Sequence, residues 1–322
     1  MIEKLTRACL VFALVAFAAP AAPQAYPSGP ITLIIPLAAG DATDIAARVI
    51  GAALERELKV PMVPLNRPGA GGALGTSVLV KAPKDGSTIG IPNNAALVFR
   101  AIIEPQVASY DAFHDLTPLA RAMRSPSILT VNADLPYKTF GEMIDYAKKN
   151  PGKVRIGTAG IGSVGDFCIR LINHLTGAGL TMVPFTGAAP AVTGMRGGHI
   201  EGVILALGTM TTHLASGAVR GLVISTKWPE LPGIPTFAEL GYSQPLFDVW
   251  TGIFAPADVA PEVTKVLVPA LAEAIRSPEV EGHLKPLGIA ADYAPPEKLV
   301  AEMRDEHRRV LEIARAAGLI KK

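Results

Sequence analysis

ITLIIPLAAGDATDIAAR, Ile31 to Arg48, is the stretch on which the reading of this chain turns. A fully apolar run (Ile31, Leu33, Ile34, Ile35) ends in a small-residue turn, Ala38-Ala39-Gly40. An amphipathic helix opens at once, with Asp41, Thr43 and Asp44 around its start. The apolar run reads as a buried strand. A strand that delivers the chain to a helix N-terminus leaves backbone N–H groups without helical partners at the positive end of the helix dipole. Small side chains there let an anion approach the backbone. The stretch predicts an anion-binding turn at a strand's carboxyl end and supplies no catalytic group.

Outward from this unit, short apolar strands alternate with helical patterns. Strands are expected at Ile31–Leu37, Pro61–Leu65, Thr88–Ile91, Leu116–Ala122, Ser127–Asn132, Val154–Thr158, Thr181–Phe185, Gly202–Ala206, Gly221–Ser225 and Thr251–Ala255. In the first helix Ile45, Val49, Ala53 and Leu58 lie near one face, beside Ala46, Ile50 and Leu54. Thr139-Phe-Gly-Glu142 and Thr236-Phe-Ala-Glu239 are capping boxes that predict two helix starts, and Ser163-Val-Gly-Asp166 is an Asp variant of the device. Buried strands joined through helices give the α/β class, with mainly parallel sheets flanked by helices. After about Pro261 the pattern becomes helical, with Pro-started helices near Pro261–Arg276, Pro278–Leu287 and Pro296–Ala316 and little strand. The expected division is residues 26–123 plus 250–322 as one domain and 124–249 as the other, the C-terminal helices packing back onto the first.

Residues 1–25 read as an export signal: Lys4 and Arg7, then an apolar run from Ala8 to Ala18, then small residues with cleavage options between about residues 21 and 25. The mature chain is therefore expected outside the cytoplasm; it is also expected to be a monomer. Removing this segment takes the formal net charge of +2 to about +1, a balance that argues against nucleic acid and polybasic membrane docking. Cys168 is then the only cysteine, which excludes an intrachain disulfide and reads as a small buried apolar residue. Stability must come from burial, in keeping with 49% hydrophobic and 18% charged residues.

Other small-residue turns share the character of the first. Gly157-Thr-Ala-Gly160-Ile-Gly162-Ser163 follows a strand and precedes a helix, and Phe185-Thr186-Gly187-Ala188-Ala189-Pro190 does so one strand later. Each alone is an ordinary turn or cap; together, from facing domains, they converge on one cleft at the strands' carboxyl ends. Gly160 to Gly165 also matches GxGxxG, but no carboxylate follows on the next strand to hold a ribose, so no cofactor is expected. Ser163 lacks the glycine that a nucleophile elbow places two residues before it, and the six histidines form no metal-ligand pair, so no metal is expected.

Over essentially the whole mature chain these motifs resemble the Bug (TctC-like) periplasmic solute-binding proteins of tripartite tricarboxylate transporters. The matching stretches include YPSGPITLIIPLAAG from Tyr26, Thr43-Asp44 with Ala47-Arg48, Asn66-Arg-Pro-Gly-Ala-Gly-Gly72, Gly157-Thr-Ala-Gly160 with Gly162-Ser163, Val183-Pro-Phe-Thr-Gly187 and Leu231-Pro-Gly-Ile-Pro-Thr236. The resemblance implies a two-domain Venus-flytrap fold, type II-like, that closes on a small carboxylate held largely by backbone amides and water. It implies permease subunits as partners and no catalysis. Carried over by position, the ligand-binding set is Ala38, Ala39, Gly40, Asp41 and Thr43 on one domain, Gly162, Ser163, Thr186 and Gly187 opposite, with Asn93 and Asn94 where the family places small polar residues. Two departures bear on the ligand. Asp41 stands where the family usually has a second glycine; it either caps the helix or repels a second ligand carboxylate and attracts an amino group. Leu205-Ala206 replaces a polar pair and suggests a less polar wall, suited to an aliphatic or aromatic acid. The competing reading is an exported α/β enzyme on small acids, with Asp41, Asp44 and Asp166 as its only titrating candidates near these turns.

Overall fold

The computed structural model describes residues 26–106 and 109–320; the export segment read from the sequence lies outside them. The opening stretch forms β1 (Ile31–Ile35), whose side chains are almost all buried, and α1 (Ala42–Leu58). The buried face of α1 is Ala46, Ala47, Ile50, Ala53 and Leu54, rotated from the Ile45–Val49–Leu58 side of the expected stripe, whose members are only half-buried. Small residues on that face let the helix lie close on β1, where a Cβ added at Gly51 would lie 3.4 Å from Leu33 Cδ2.

The chain continues through β2 (Met62–Asn66), α2 (Ala73–Val80) and β3 (Thr88–Gly90). A π-helical turn, Ala95–Phe99, then leads into the short α3 (Arg100–Ile103). β4 (Leu116–Ser125) runs through Pro126 into β5 (Ser127–Asn132) and so carries the chain from one sheet into the other. The second lobe follows with α4 (Phe140–Lys149), β6 (Arg155–Thr158), α5 (Val164–Thr176), β7 (Thr181–Pro184), α6 (Ala188–Arg196), β8 (Gly202–Ala206), α7 (Leu207–Ala215) and β9 (Val219–Ile224). β10 (Val249–Pro256) returns to the first sheet, and α8 (Pro261–Arg276), α9 (Pro278–Leu284), β11 (Ala290–Ala294) and α10 (Pro296–Ala316) complete it.

Two sheets result, ordered β11-β4-β10-β3-β1-β2 and β7-β6-β8-β5-β9. They are mixed rather than mainly parallel. β2–β1–β3 and β7–β6–β8 pair in parallel through helical crossovers, whereas β10 and β11 in one sheet and β5 in the other run against their neighbours. The reversed β5 and β10 are the strands that enter directly from the other lobe, and an extended connection without a crossover helix leaves antiparallel pairing as the way in.

Three further differences from the sequence reading have local causes. β11 carries Asp292 and Tyr293 in place of an apolar run and pairs only with β4, so it lacks the signal of a doubly covered strand. The Thr236 capping box forms, with Thr236 N–H donating to Glu239 at 2.7 Å and Glu239 N–H to Thr236 Oγ1 at 3.2 Å. It starts only a single turn, because Gly241 takes φ +85° immediately after. α9 stops at Leu284, and a 3₁₀ turn carries the chain to Leu287.

The lobes meet over an aromatic triad. Phe99 at the end of the π turn, Phe167 on α5 and Phe247 just before β10 pack edge to face at 5.1–5.4 Å. Beside it the returning chain is held by Asp248, which accepts from Ser225 Oγ at 2.5 Å and Thr226 Oγ1 at 2.9 Å, and by Asn94 Nδ2, which donates to the Asp248 carbonyl at 3.0 Å.

Candidate ligand cleft between the lobes

The β1–α1 and β6–α5 turns are built on one local plan. In the first, Gly40 N–H donates to Asp44 Oδ2 at 3.0 Å and Arg48 Nε donates to Asp44 Oδ1 at 2.9 Å. In the second, Gly162 N–H donates to Asp166 Oδ2 at 2.9 Å and Arg170 Nε donates to Asp166 Oδ1 at 2.8 Å. Gly-x-x-x-Asp-x-x-x-Arg thus occurs in each lobe, and the residue after the glycine, Asp41 or Ser163, is the helix N-cap. Asp41 Oδ1 accepts from Thr43 N–H at 2.9 Å; Ser163 Oγ accepts from Asp166 N–H at 3.3 Å. Burial opposes ionisation of Asp44, but Arg48, Asn66 and the Gly40 N–H together hold its carboxyl below the usual carboxylate range.

The expectation of free N–H groups across the whole first turn does not hold. Gly40 N–H is taken by Asp44, Asp41 N–H by Ala38 O at 3.2 Å, Thr43 N–H by Asp41, and Ala42 N–H by Thr209 Oγ1 of the other lobe at 3.2 Å. Ala38 and Ala39 keep unpaired N–H groups among the described residues. In the second lobe the first two residues of α5, Val164 and Gly165, keep theirs. These are the first positions of a 13-residue helix, where no intrahelical acceptor exists.

Between the two N-caps lies a buried cavity of about 30 Å³, lined by Asp41, Asn93, Ser163, Val164 and Gly165 with an apolar remainder that includes Leu37, Ile204, Leu205, Ala206 and Val249. That is the space of about one water molecule, so this is a closed arrangement of the lobes. Among the described residues no lysine, arginine or histidine lines it. Asp41 is 6% exposed, and burial pushes its carboxyl up to about 6 against the stabilising Thr43 N–H.

The sequence-derived residues divide by position. Asp41, Asn93 and Ser163 are brought together at the cavity. Gly162 lies beside it against Arg100, whose guanidinium donates to Ile161 O across the lobe boundary. Gly40 lines a separate, wider groove of about 600 Å³ between the lobes, with Thr209, Arg196 and His213. Ala38 abuts Gly187 across the cleft rim, while Ala39 and Thr186 are exposed. Thr43 is fully buried beside Asp41, whose charge its N–H and side chain help to stabilise. Asn94 turns away from the cavity: it donates to Asp248 O and Glu306 and accepts from Trp250 N–H.

Sequence reading passed over Val164 and Gly165. The signal was available, since a Ser163 N-cap implies that the next two residues carry unpartnered N–H groups. It also passed over the loop Gly69–Gly72. There Gly71 and Gly72 take φ +63° and +101°, which disfavours a side chain at either; a Cβ at Gly71 would only touch the opposite lobe's Ile161–Ser163 backbone, whereas one at Gly72 would crowd Asn93 Oδ1 at 3.0 Å.

Two α/β lobes joined by paired crossings, with helix N-termini of each lobe facing one closed cavity, define the class of two-lobed solute-binding receptors. The tripartite tricarboxylate transporter family receptor model matches residues 46–319. Protein BugT of Bordetella pertussis is 30% identical over 312 residues, covering 96% of this chain and 95% of that protein. Among solved structures, R. palustris Rpa4515 with adipate is similar at a TM-score of 0.87 and 28% identity, over 91% of this chain and 98% of that one. MatC from Rhodopseudomonas palustris with bound malate is similar at a TM-score of 0.84 and 27% identity, over 89% and 99%. The chain belongs to the tripartite tricarboxylate transporter receptor family.

Proposed function

We propose that this chain is an exported receptor that captures a small organic carboxylate between its lobes and delivers it to the permease subunits of a tripartite tricarboxylate transporter. The lobes are residues 26–123 with 250–322 and residues 124–249, closing about the crossings at Pro126 and Asp248 after removal of residues 1–25 in the periplasm. The observation that carries the reading is the closed cavity at the α5 N-terminus, where Val164 and Gly165 offer N–H groups and Ser163 and Asn93 add polar side chains with no cationic residue. Such a site holds an anion by oriented backbone dipoles. Hydrogen bonds to a charged partner contribute ~1.5–3 kcal/mol each, so three or four, less the ordering cost, reach the ~8 kcal/mol of micromolar binding. The adipate and malate seen in relatives supply the ligand class.

The reading is of a receptor rather than a catalyst. Of the three candidate acids, Asp44 and Asp166 are committed to ion pairs with Arg48 and Arg170, which leaves Asp41 alone. A thermal-shift screen of organic acids on the processed chain tests the proposal. A cognate acid raises Tm with concentration, by about 2.7 kcal/mol of stability at a hundred times Kd, and is recovered unchanged. Chemical conversion of the acid, or no shift from any acid, refutes it.

A further inference from the structure

The cavity is electrically lopsided. At one N-cap stands Ser163, neutral; at the matching place in the other lobe stands Asp41. The neighbouring acids are matched by cations, Asp44 by Arg48 and Asp166 by Arg170, but Asp41 has none within 4.0 Å among the described residues. Its Oδ1 takes the Thr43 N–H, and the neutral Thr43 side chain is the other group that stabilises its charge. A carboxylate more than nine-tenths buried, facing a cavity without a cation, is costly unless a positive group joins it. Across the cavity, the α5 N-terminus presents the Val164 and Gly165 N–H groups, the opposite electrostatic character. Ile204, Leu205 and Val249 make the surface between the two ends apolar.

We propose that the cleft selects a carboxylate that also bears a protonated amine, Asp41 receiving the ammonium group and the Val164–Gly165 end of α5 receiving the carboxylate. The inference rests on the receptor reading above and narrows its ligand class. A second ligand carboxylate at Asp41 would bring two like charges together in a site shielded from water, where their repulsion is least screened. With a carboxyl pushed up to about 6, Asp41 remains mostly ionised at neutral pH and able to hold a cation.

The test is isothermal titration at pH 7.5 with matched sets: 6-aminohexanoate, hexanoate and adipate; 4-aminobutyrate, butyrate and succinate; and an aliphatic α-amino acid against its des-amino acid. The variants are Asp41→Asn, which keeps a good N-cap, and Asp41→Ser, which copies Ser163. Melting curves of both variants confirm the fold. The expected result is that in at least one set the amine-bearing acid binds ten or more times tighter than its des-amino and diacid partners. Both variants erase that advantage, and the diacid gains at least threefold. Equal or tighter binding of the diacid or des-amino acid by the native chain overturns the inference while leaving the carboxylate-receptor reading intact, as does an amine preference that survives both substitutions. Failure of every acid in the panel to bind the native chain overturns both.

Discussion

Glu306 on α10 is a buried acid 5% exposed, lying under the crossing where β10 returns. Trp250 Nε1 donates to it at 2.9 Å and Asn94 Nδ2 at 3.3 Å. Burial raises its carboxyl to about 7, against these donors and the charges of Arg309 and Arg124, which act the other way. The folded chain therefore binds the proton more tightly than the unfolded chain, whose glutamate titrates near 4.5. Below about 4.5 both states are protonated and the group's stabilising contribution is complete; it is lost as pH rises to about 7 and stays lost above. At about 1.4 kcal/mol for each tenfold in proton affinity, the difference amounts to ~3 kcal/mol. Glutamine has the shape of the neutral acid, so Glu306→Gln should match the native chain near pH 4.5 and exceed it by up to ~3 kcal/mol at pH 8. Urea melts of both proteins at four or five pH values give the comparison as a difference, so every other titrating group cancels. Parallel stability profiles from pH 4.5 to 8, or a native chain that gains on the variant as pH rises, would refute the reasoning.

Three further outcomes are expected. Gly208→Ala should prop the lobes apart, since its new methyl would lie 2.4 Å from Ile289 and 3.0 Å from Ala42, both of the first lobe; ligand affinity should fall at least tenfold with little change in Tm, and a larger radius of gyration in X-ray scattering would accompany it. Ser163→Ala removes both a cavity hydroxyl and an α5 cap, so it should cost ~1 kcal/mol of stability and ~1–2 kcal/mol of binding; calorimetry showing neither loss would place the ligand elsewhere. Cys168 is fully buried, and burial pushes its thiol up to about 11, so labelling by a thiol reagent should proceed at the rate of unfolding, and rapid labelling of the native chain would contradict the packing.

Much of the fold was legible because parallel strands covered on both faces must be apolar along their length, as β1 and β8 are. β11, with one strand partner and a polar middle, left no such mark. The site was legible to the extent that it is local. Helix N-caps at Asp41 and Ser163 announce themselves by residue type and spacing, and both reach the cavity. Asn93 and Asn94 read alike as adjacent polar residues after a strand, yet the backbone changes between them: Asn93 is still bridged to Thr251 and lines the cleft, whereas Asn94 is helical, opens the π turn and braces the crossing through Asp248 and Glu306.

The chain's covalent order determined the strand–turn–helix units, their caps and the small residues that let backbone approach backbone, because these depend on neighbours within a few positions. It also carried the family's motifs, which span both lobes. Only the packed molecule decided which N–H groups remain available. Thr209 reaches Ala42 from 167 residues away, and the reversed β5 and β10 arise from how the chain crosses between lobes. Whether a donor at a helix end is spare or spent is a matter of what the rest of the structure brings against it. Here the first turn is largely satisfied from within and across the cleft, while the α5 end keeps donors for a guest.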